Sequence, residues 1–241
     1  MKSIGTFGAP HRSIAAAILL CGTPNVPMLF MGEEWSERAP FLYFTSHTDQ
    51  DLGRAVRRGR MEEYDSFVRG EGETESTLGG FADPQSEITF VRSKLDWDSL
   101  NKSPHAEMLA FYRDLLAARR AHACLSNCDK TRTRVHFDEG RCRLTVERGD
   151  ESGARAALLC NLSADAQGVT IPEGAWRLAL WSDDERYGGD ASHDAPLAEV
   201  NADGQTEIEL AAWGAALYIS AEVRVQSDEL SAEVRVQSAE R

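Results

Sequence analysis

Lysine is nearly missing from this chain. Of 26 basic residues only Lys2, Lys94, Lys102 and Lys130 are lysine, which leaves 22 arginines. Such a bias is the mark of a GC-rich coding sequence, with adaptation to high salt as the sharper alternative. Basic charge is short overall as well: 26 Lys and Arg face 39 Asp and Glu, a net charge of −13. A surface this acidic repels phosphate backbones and anionic lipid, which excludes nucleic acid and membrane as partners. It does not repel a neutral ligand such as a sugar.

Long apolar runs are also missing. No stretch of about 18 apolar residues exists, so no membrane-spanning helix is expected. The start, Met1 to Gly5, is not followed by an apolar segment of leader type. The nearest one, Ile14 to Leu20, ends at Cys21-Gly22 without a small-x-small cleavage site. The expectation is a cytoplasmic protein. Cysteine is sparse: Cys21, Cys124, Cys128, Cys142 and Cys160 are odd in number and irregular in spacing. That pattern speaks for buried free thiols rather than a disulfide framework. His122, Cys124 and Cys128 lack a fourth ligand at any familiar spacing, so no metal is expected.

What is present divides by period. Ser13 to Leu20 reads as a short buried helix, with Ser13 as N-cap and Gly22 as stop. Pro27-Met-Leu-Phe-Met31 is an apolar run bounded by Pro and Gly, the look of a parallel strand buried on both faces. Asp49 to Arg69 reads as a second helix, weakened by Gly53 and Gly59. Gly70 to Gly80 reads as a surface loop. Ser103 to Arg120 gives the best helix: Ser103 caps it, Pro104 fills the first turn, and Met108, Phe111, Tyr112, Leu115 and Leu116 form one apolar stripe.

After residue 130 the period falls to 2. Cys142, Leu144 and Val146 alternate with polar neighbours, as do Trp176, Leu178 and Leu180, then Ile208 with Leu210, and Leu217 with Ile219. Turn signals at 138–140, 172–174, 188–189 and 203–204 separate these runs, which points to an antiparallel sandwich or small barrel. The expected organisation is residues 1–125 as α/β, 131–220 as all-β, and 221–241 as a solvated tail. That tail holds one octapeptide twice, Ser220 to Ser227 and Ser231 to Ser238.

The segment Pro27-Met-Leu-Phe-Met-Gly-Glu-Glu-Trp35 resembles the last barrel strand and following loop of α-amylase-type glycoside hydrolases. Four further stretches follow in order: Pro40 to Thr45, Leu52 to Arg60, Asp83-Pro84-Gln85, and Phe90-x-Arg-Ser-Lys-Leu-Asp-Trp97. This series resembles the malto-oligosyltrehalose trehalohydrolase family, most closely over residues 14–120. The resemblance implies a fold made of the last units of a (β/α)8 barrel followed by a C-terminal β-sandwich. It implies hydrolysis of an α-1,4 bond that releases trehalose, a maltooligosaccharide-type substrate, and no cofactor.

Retaining glycosidases need two carboxyl groups about 5–5.5 Å apart. In the resembled family these lie on barrel strands before the one seen here. No residue is therefore assigned catalysis, and the chain is expected to be inactive alone. Length agrees, since a whole barrel needs about 250 residues. Glu33 and Glu34 make a poor pair, because neighbours on an extended chain point to opposite faces. The substrate-lining candidates are Glu33, Glu34, Trp35 and Phe44, with Phe41 and Tyr43 as further aromatics that serve either a sugar platform or the core. Arg92, Lys94, Asp96 and Trp97 are expected to fix the long loop in place. His193-Asp194 lies in a Gly/Ala/Pro-rich loop and is assigned nothing. Two alternatives stay open: a non-catalytic carbohydrate-binding or interaction module, and one half of a split enzyme related to the glycogen-branching enzymes, whose partner is an upstream barrel chain.

Overall fold

The computed structural model describes residues 10–71, 80–189 and 194–220. The duplicated tail and most of the 70–80 loop lie outside them. Helix α1 spans Pro10–Gly22. Ser13 lies three residues into this span, so it sits inside the helix rather than capping it. Proline suits a first turn because its missing N–H has no partner there anyway. Ile14, Ala15, Ala17, Ile18 and Cys21 are buried along one side.

Helix α2 spans Gln50–Glu71. Asp49 caps it, its Oδ1 accepting from the N–H groups of Asp51 (2.8 Å) and Leu52 (3.2 Å). Helix α3 is short, Glu87–Arg92. Helix α4 spans His105–Ala121 and buries Met108, Phe111, Tyr112 and Leu115, the expected stripe. Its N-cap is Pro104 rather than Ser103, and no side chain caps it. The Lys102 carbonyl accepts instead from the N–H groups of His105 and Ala106, at 2.8 and 3.0 Å. A final turn, α5 (Ala123–Ser126), buries Cys124 and Leu125.

Among the described residues eight strands follow: β1 Thr133–Asp138, β2 Arg143–Gly149, β3 Arg155–Asn161, β4 Gln167–Thr170, β5 Gly174–Trp181, β6 Glu199–Ala202, β7 Glu207–Leu210 and β8 Ala215–Ser220. All pairings are antiparallel. Six strands form one sheet in the order β1-β2-β3-β8-β5-β6, and β4 pairs with β7 in a second.

The large sheet is covered on both faces. On one side, Val146, Leu158, Cys160 and Leu217 meet the apolar sides of α1, α4 and α5. On the other, Leu159, Trp176, Ala216 and Tyr218 meet Val169, Ile208 and Leu210 from the small sheet and Ile171 just after β4. Central strands β3 and β8 are therefore apolar at consecutive positions. One expected alternation breaks. Trp176 and Leu178 face the small sheet, but Leu180 faces the helices. A bulge between Leu178 and Leu180 shifts the register against β8, and one extra residue turns every later side chain to the opposite face.

Two buried arginines fasten the end of α1 to the rest. Arg148 is fully buried; its Nη1 donates to the Gly22 carbonyl (2.7 Å), and its Nη2 to the Asn127 carbonyl (2.6 Å) and Oδ1 (2.9 Å). Arg119, on α4, donates to the carbonyls of Cys21, Thr23 and Asn25. Neither pairs with a carboxylate among the described residues. The partial negative charge of the helix C-terminus takes that place. Burial and the nearby Arg119 charge pull the Arg148 guanidinium below its usual range.

The expected buried strand at 27–31 is not one. The stretch has no regular secondary structure, with a turn already at Met31, and pairs with nothing among the described residues; Met28 is 86% exposed. A parallel strand takes its burial from neighbouring strands and crossover helices, and none is present to flank it.

Candidate functional site

After Phe30 the chain tightens into a single 3₁₀ turn, Glu33–Trp35. Gly32 opens it at φ 84°, and a Cβ there would lie 2.6 Å from the Glu37 Cβ, so both conformation and space demand glycine. The Gly32 carbonyl closes the turn by accepting from Glu37 N–H at 2.8 Å.

Three glutamates in this loop have three different fates. Glu33 is spent on the scaffold: Oε2 accepts from Phe30 N–H (3.0 Å) and Oε1 from the Tyr112 hydroxyl (3.1 Å). Burial, with the Glu33 carboxylate second, pushes the Tyr112 phenol above its ordinary range. Glu37 is 8% exposed and is the hub of the loop. Its Oε1 accepts from the N–H groups of Arg38 (2.7 Å) and Ala39 (2.8 Å). Its Oε2 accepts from Asp96 N–H (2.8 Å) and the Trp35 indole N–H (3.3 Å). Burial raises the Glu37 carboxyl, but these four donors outweigh it and hold the group below the usual carboxylate value. Glu34 is half-buried and makes no hydrogen bond within the described residues.

Trp35 is 3% exposed. One face meets Trp97 at a centroid distance of 5.2 Å, and its carbonyl lies 2.7 Å from the buried His105 Nδ1. The structure thus places Trp35 in packing, with no ring face open to a sugar. Phe44 is 39% exposed and packs edge-on to Phe90, with centroids 5.2 Å apart. Tyr43 is half-exposed beneath the Arg60 guanidinium at 4.9 Å, and Phe41 packs edge-on to Phe30 at 5.2 Å. Glu33, Glu34 and Trp35 come together on one turn, and Phe44 lies on a separate aromatic cluster.

The later motif returns to this loop as expected, though through different atoms. Asp96 contributes its backbone N–H, Trp97 its ring, and Lys94 holds its ammonium 5.0 Å from the Phe90 ring. Ser93 does the work expected of Arg92: its Oγ accepts from Leu42 N–H (3.1 Å) and faces the Leu42 carbonyl (3.2 Å). Glu37, Ser93, His105 and Arg148 are buried polar residues that the sequence did not single out. Arg119 carried a faint signal as a cation in the last turn of a helix, but Glu37 carried none, because its role depends on Asp96, 59 residues away.

Away from this loop, a cavity of about 530 Å³ opens on the β-region, lined by Trp181, Asp183, Asp184, Arg186 and Asp194 among others. Asp184 and Arg186 pair with each other there at 2.8 Å. His193 lies outside the described residues. Among the described residues no three His, Cys, Asp or Glu side chains gather as a metal site, and no helix is long and apolar enough to cross a membrane.

No family model matches the chain. Curated relatives do. A malto-oligosyltrehalose trehalohydrolase of Arthrobacter ramosus is 44% identical over 144 residues, 58% of this chain and 24% of that protein. One of Mycobacterium tuberculosis is 31% identical over 210 residues, 87% of this chain and 31% of that protein. Among solved structures, a putative alpha amylase from Salmonella typhimurium superposes with a TM-score of 0.65 and 26% identity, covering 90% of this chain and 32% of its own. An isomaltulose synthase of Erwinia rhapontici superposes at 0.52 with 14% identity, a likeness of fold alone. The chain spans about a quarter to a third of the length of these curated relatives.

Proposed function

We propose that this chain, whose sequence is related to the C-terminal portion of the malto-oligosyltrehalose trehalohydrolases, serves as that portion of such an enzyme. It carries the end of an α-amylase-type barrel and the β-domain behind it. The whole enzyme hydrolyses the α-1,4 bond of maltooligosyltrehalose and releases trehalose. In this reading the Gly32–Glu37 turn lines the sugar cleft, Glu34 points a carboxylate at sugar hydroxyls, and Phe44 offers an aromatic edge. Glu33 and Trp35 act behind them, as supports.

The observation that carries this assignment is the division of labour among the glutamates. Glu33 and Glu37 have their oxygens filled by the protein, whereas Glu34 on the same turn has no hydrogen-bond partner among the described residues. A carboxylate held on a rigid turn without an internal partner is placed to meet a ligand. One such group is not a catalytic pair, which needs two carboxyls facing across the bond. The reading therefore expects the purified chain to release no trehalose from maltooligosyltrehalose, measured by chromatography of the products. Turnover by the chain alone sinks it. Cytoplasmic residence belongs to the same proposal, supported by five free cysteines, two of them exposed.

A second reading, a stand-alone carbohydrate-binding module, draws on the half-exposed Phe44 and Phe90 pair. Calorimetry with maltooligosaccharides separates the two, because only a true binding module gives saturable heat on its own.

A further inference from the structure

Strand β6 ends the large sheet, yet it pairs with β5 over Gly174–Arg177 only. β5 runs on to Trp181. The Leu178 N–H still reaches the Ala198 carbonyl (2.8 Å), and beyond it the outer edge of β5 has no neighbouring strand among the described residues. The cavity of about 530 Å³ lies in this notch, between the end of β5, the turn at 183–186 and the stretch at 194–195. Its size falls within the range of small-molecule sites, about 300–1,000 Å³. Leu178 and Leu180 give it apolar lining. Trp181 lines it as well, half-buried. That residue packs in neither apolar core, and among the described residues its ring meets no other ring or cation and its indole N–H has no acceptor. Tryptophan is usually well buried, so a ring left beside a cavity without a partner has a face to offer.

The polar lining is held in place by its own contacts. Arg186 Nε donates to both Asp184 carboxylate oxygens (3.1 Å each) and its Nη2 to Oδ2 (2.8 Å). The same carboxylate accepts from the Arg186 backbone N–H (2.9 Å) and so caps the 3₁₀ turn Glu185–Tyr187. Glu185 and Asp194 are exposed, and their carboxylates pair with nothing among the described residues. Charge narrows the ligand. The carboxylates of Asp183, Asp184, Glu185 and Asp194 outnumber one guanidinium, which repels an anion. Among the described residues no three of them gather as a metal site. Acceptors set beside guanidinium donors and an aromatic face suit an uncharged ligand whose hydroxyls both donate and accept and whose C–H face can lie on a ring. We infer that this notch is a sugar-binding site of the β-region, with Trp181 as its platform and Asp184, Glu185 and Arg186 as partners for hydroxyls. It shares no residue with the Gly32–Glu37 turn. The sugar class follows from the cavity itself, whereas a maltooligosaccharide as the ligand rests on the functional proposal above.

The test is an NMR titration of the full 241-residue chain with maltotetraose, and with cellotetraose in parallel. The Trp181 indole N–H resonance is identified by its loss in Trp181→Phe. The expected result is a saturable shift of that resonance and of backbone amides at 178–186 with maltotetraose. Trp181→Ala should weaken binding, read from the amides, by about tenfold, and Trp181→Phe, which keeps a ring, should restore most of it. Arg186→Gln, on an exposed side chain, should weaken it by about fivefold and stands in if Trp181→Ala does not fold. Val135→Ser, on the opposite edge of the same sheet, should bind as the parent does. No saturable shift with either sugar overturns the inference, as does binding that survives both Trp181→Ala and Arg186→Gln. Saturation by spermidine in place of sugar also overturns it, by making the notch a cation site. Saturation by cellotetraose but not maltotetraose supports a sugar site and cuts its link to the functional proposal. Heat from maltooligosaccharides that vanishes in Trp181→Ala belongs to this notch, so the calorimetric comparison above is read in that variant. Trehalose release by the chain alone sinks the functional proposal and leaves the notch standing.

Discussion

Residues 133–220 and residues 26–97 treat their apolar side chains in opposite ways. Among the described residues 15 large hydrophobics are exposed; 12 fall within 26–97, and Val135, Phe137 and Leu197 lie within the strands and their loops. The β-region is closed because each strand has a partner and the central strands of the large sheet are buried on both faces. The 26–97 segment is closed on one side only, through Glu33, Glu37 and Trp35, and open on the other. The helices that bracket it, α1 and α4, share a core with the sheet, and of the segment between them Leu29 packs against that core while Glu33 and Trp35 meet Tyr112 and His105 of α4. A chain divided in this way has a stable anchor and an unsatisfied face, and the polar clamps of Arg119, Arg148 and Glu37 hold the two in register.

The largest effect should come from the shared core. Phe111 is fully buried against Tyr187 and Tyr112, and Phe111→Ala should cost about 3–5 kcal/mol, seen as a single cooperative loss of helix and strand in denaturant titrations. Two separate transitions would break the claim that α4 and the sheet are one unit. Arg148→Ala comes next, at about 2–4 kcal/mol, because it leaves the Gly22 and Asn127 carbonyls without donors and opens a void. Arg148→Met, which keeps the volume, should recover part of that loss.

Glu37→Gln sharpens the boundary between the two regions. An amide presents one acceptor where four donors converge, so it should cost about 1–3 kcal/mol, with faster amide exchange confined to 32–39 and 95–98. The sign with pH follows from the lowered folded value. The Glu37 contribution is fully present above the ordinary carboxylate pKa of 4.5 and is lost as pH falls through the lower folded value. The Gln variant should lack that part of the acid sensitivity in thermal melts between pH 6 and 3. Met28→Asp, on the open face, should change stability by no more than about 0.5 kcal/mol, whereas Leu158→Asp should unfold the chain. Smallest in energy, though easy to read, is thiol chemistry. Cys128 and Cys142 are exposed and should label at once. Cys21, Cys124 and Cys160 are buried and should wait for unfolding, their thiols pushed up by burial, to about 11 for Cys21 and about 12 for Cys160.

The sequence made the β-region legible because period-2 patterning and turn residues act locally. Ile208 and Leu210 face inward as their alternation requires, and Leu217 pairs with Ile219 on one face. Leu180 was misleading, since a bulge leaves no trace in hydrophobicity. The stripe of α4 was plain, but its cap was not: Ser103 has the right chemistry for an N-cap, yet the helix starts one residue further on, with Pro104 in that position. The run at 27–31 has the composition of a buried strand and lacks the neighbours that would make it one. The candidate turn was recognisable from Gly32 to Trp35, whereas its internal wiring was not. Which glutamate is buried, which is engaged and which is free depends on Tyr112 and Asp96, contacts that only the folded chain creates.

Amide hydrogen exchange on the intact chain tests the central contrast most directly. The account predicts that residues 155–161 and 215–220 exchange only through global unfolding, while Val26, Met28, Leu29 and Met31 exchange near the rate of an unstructured peptide. Slow exchange at those four amides in the isolated chain would show that the face is already covered, and would contradict it.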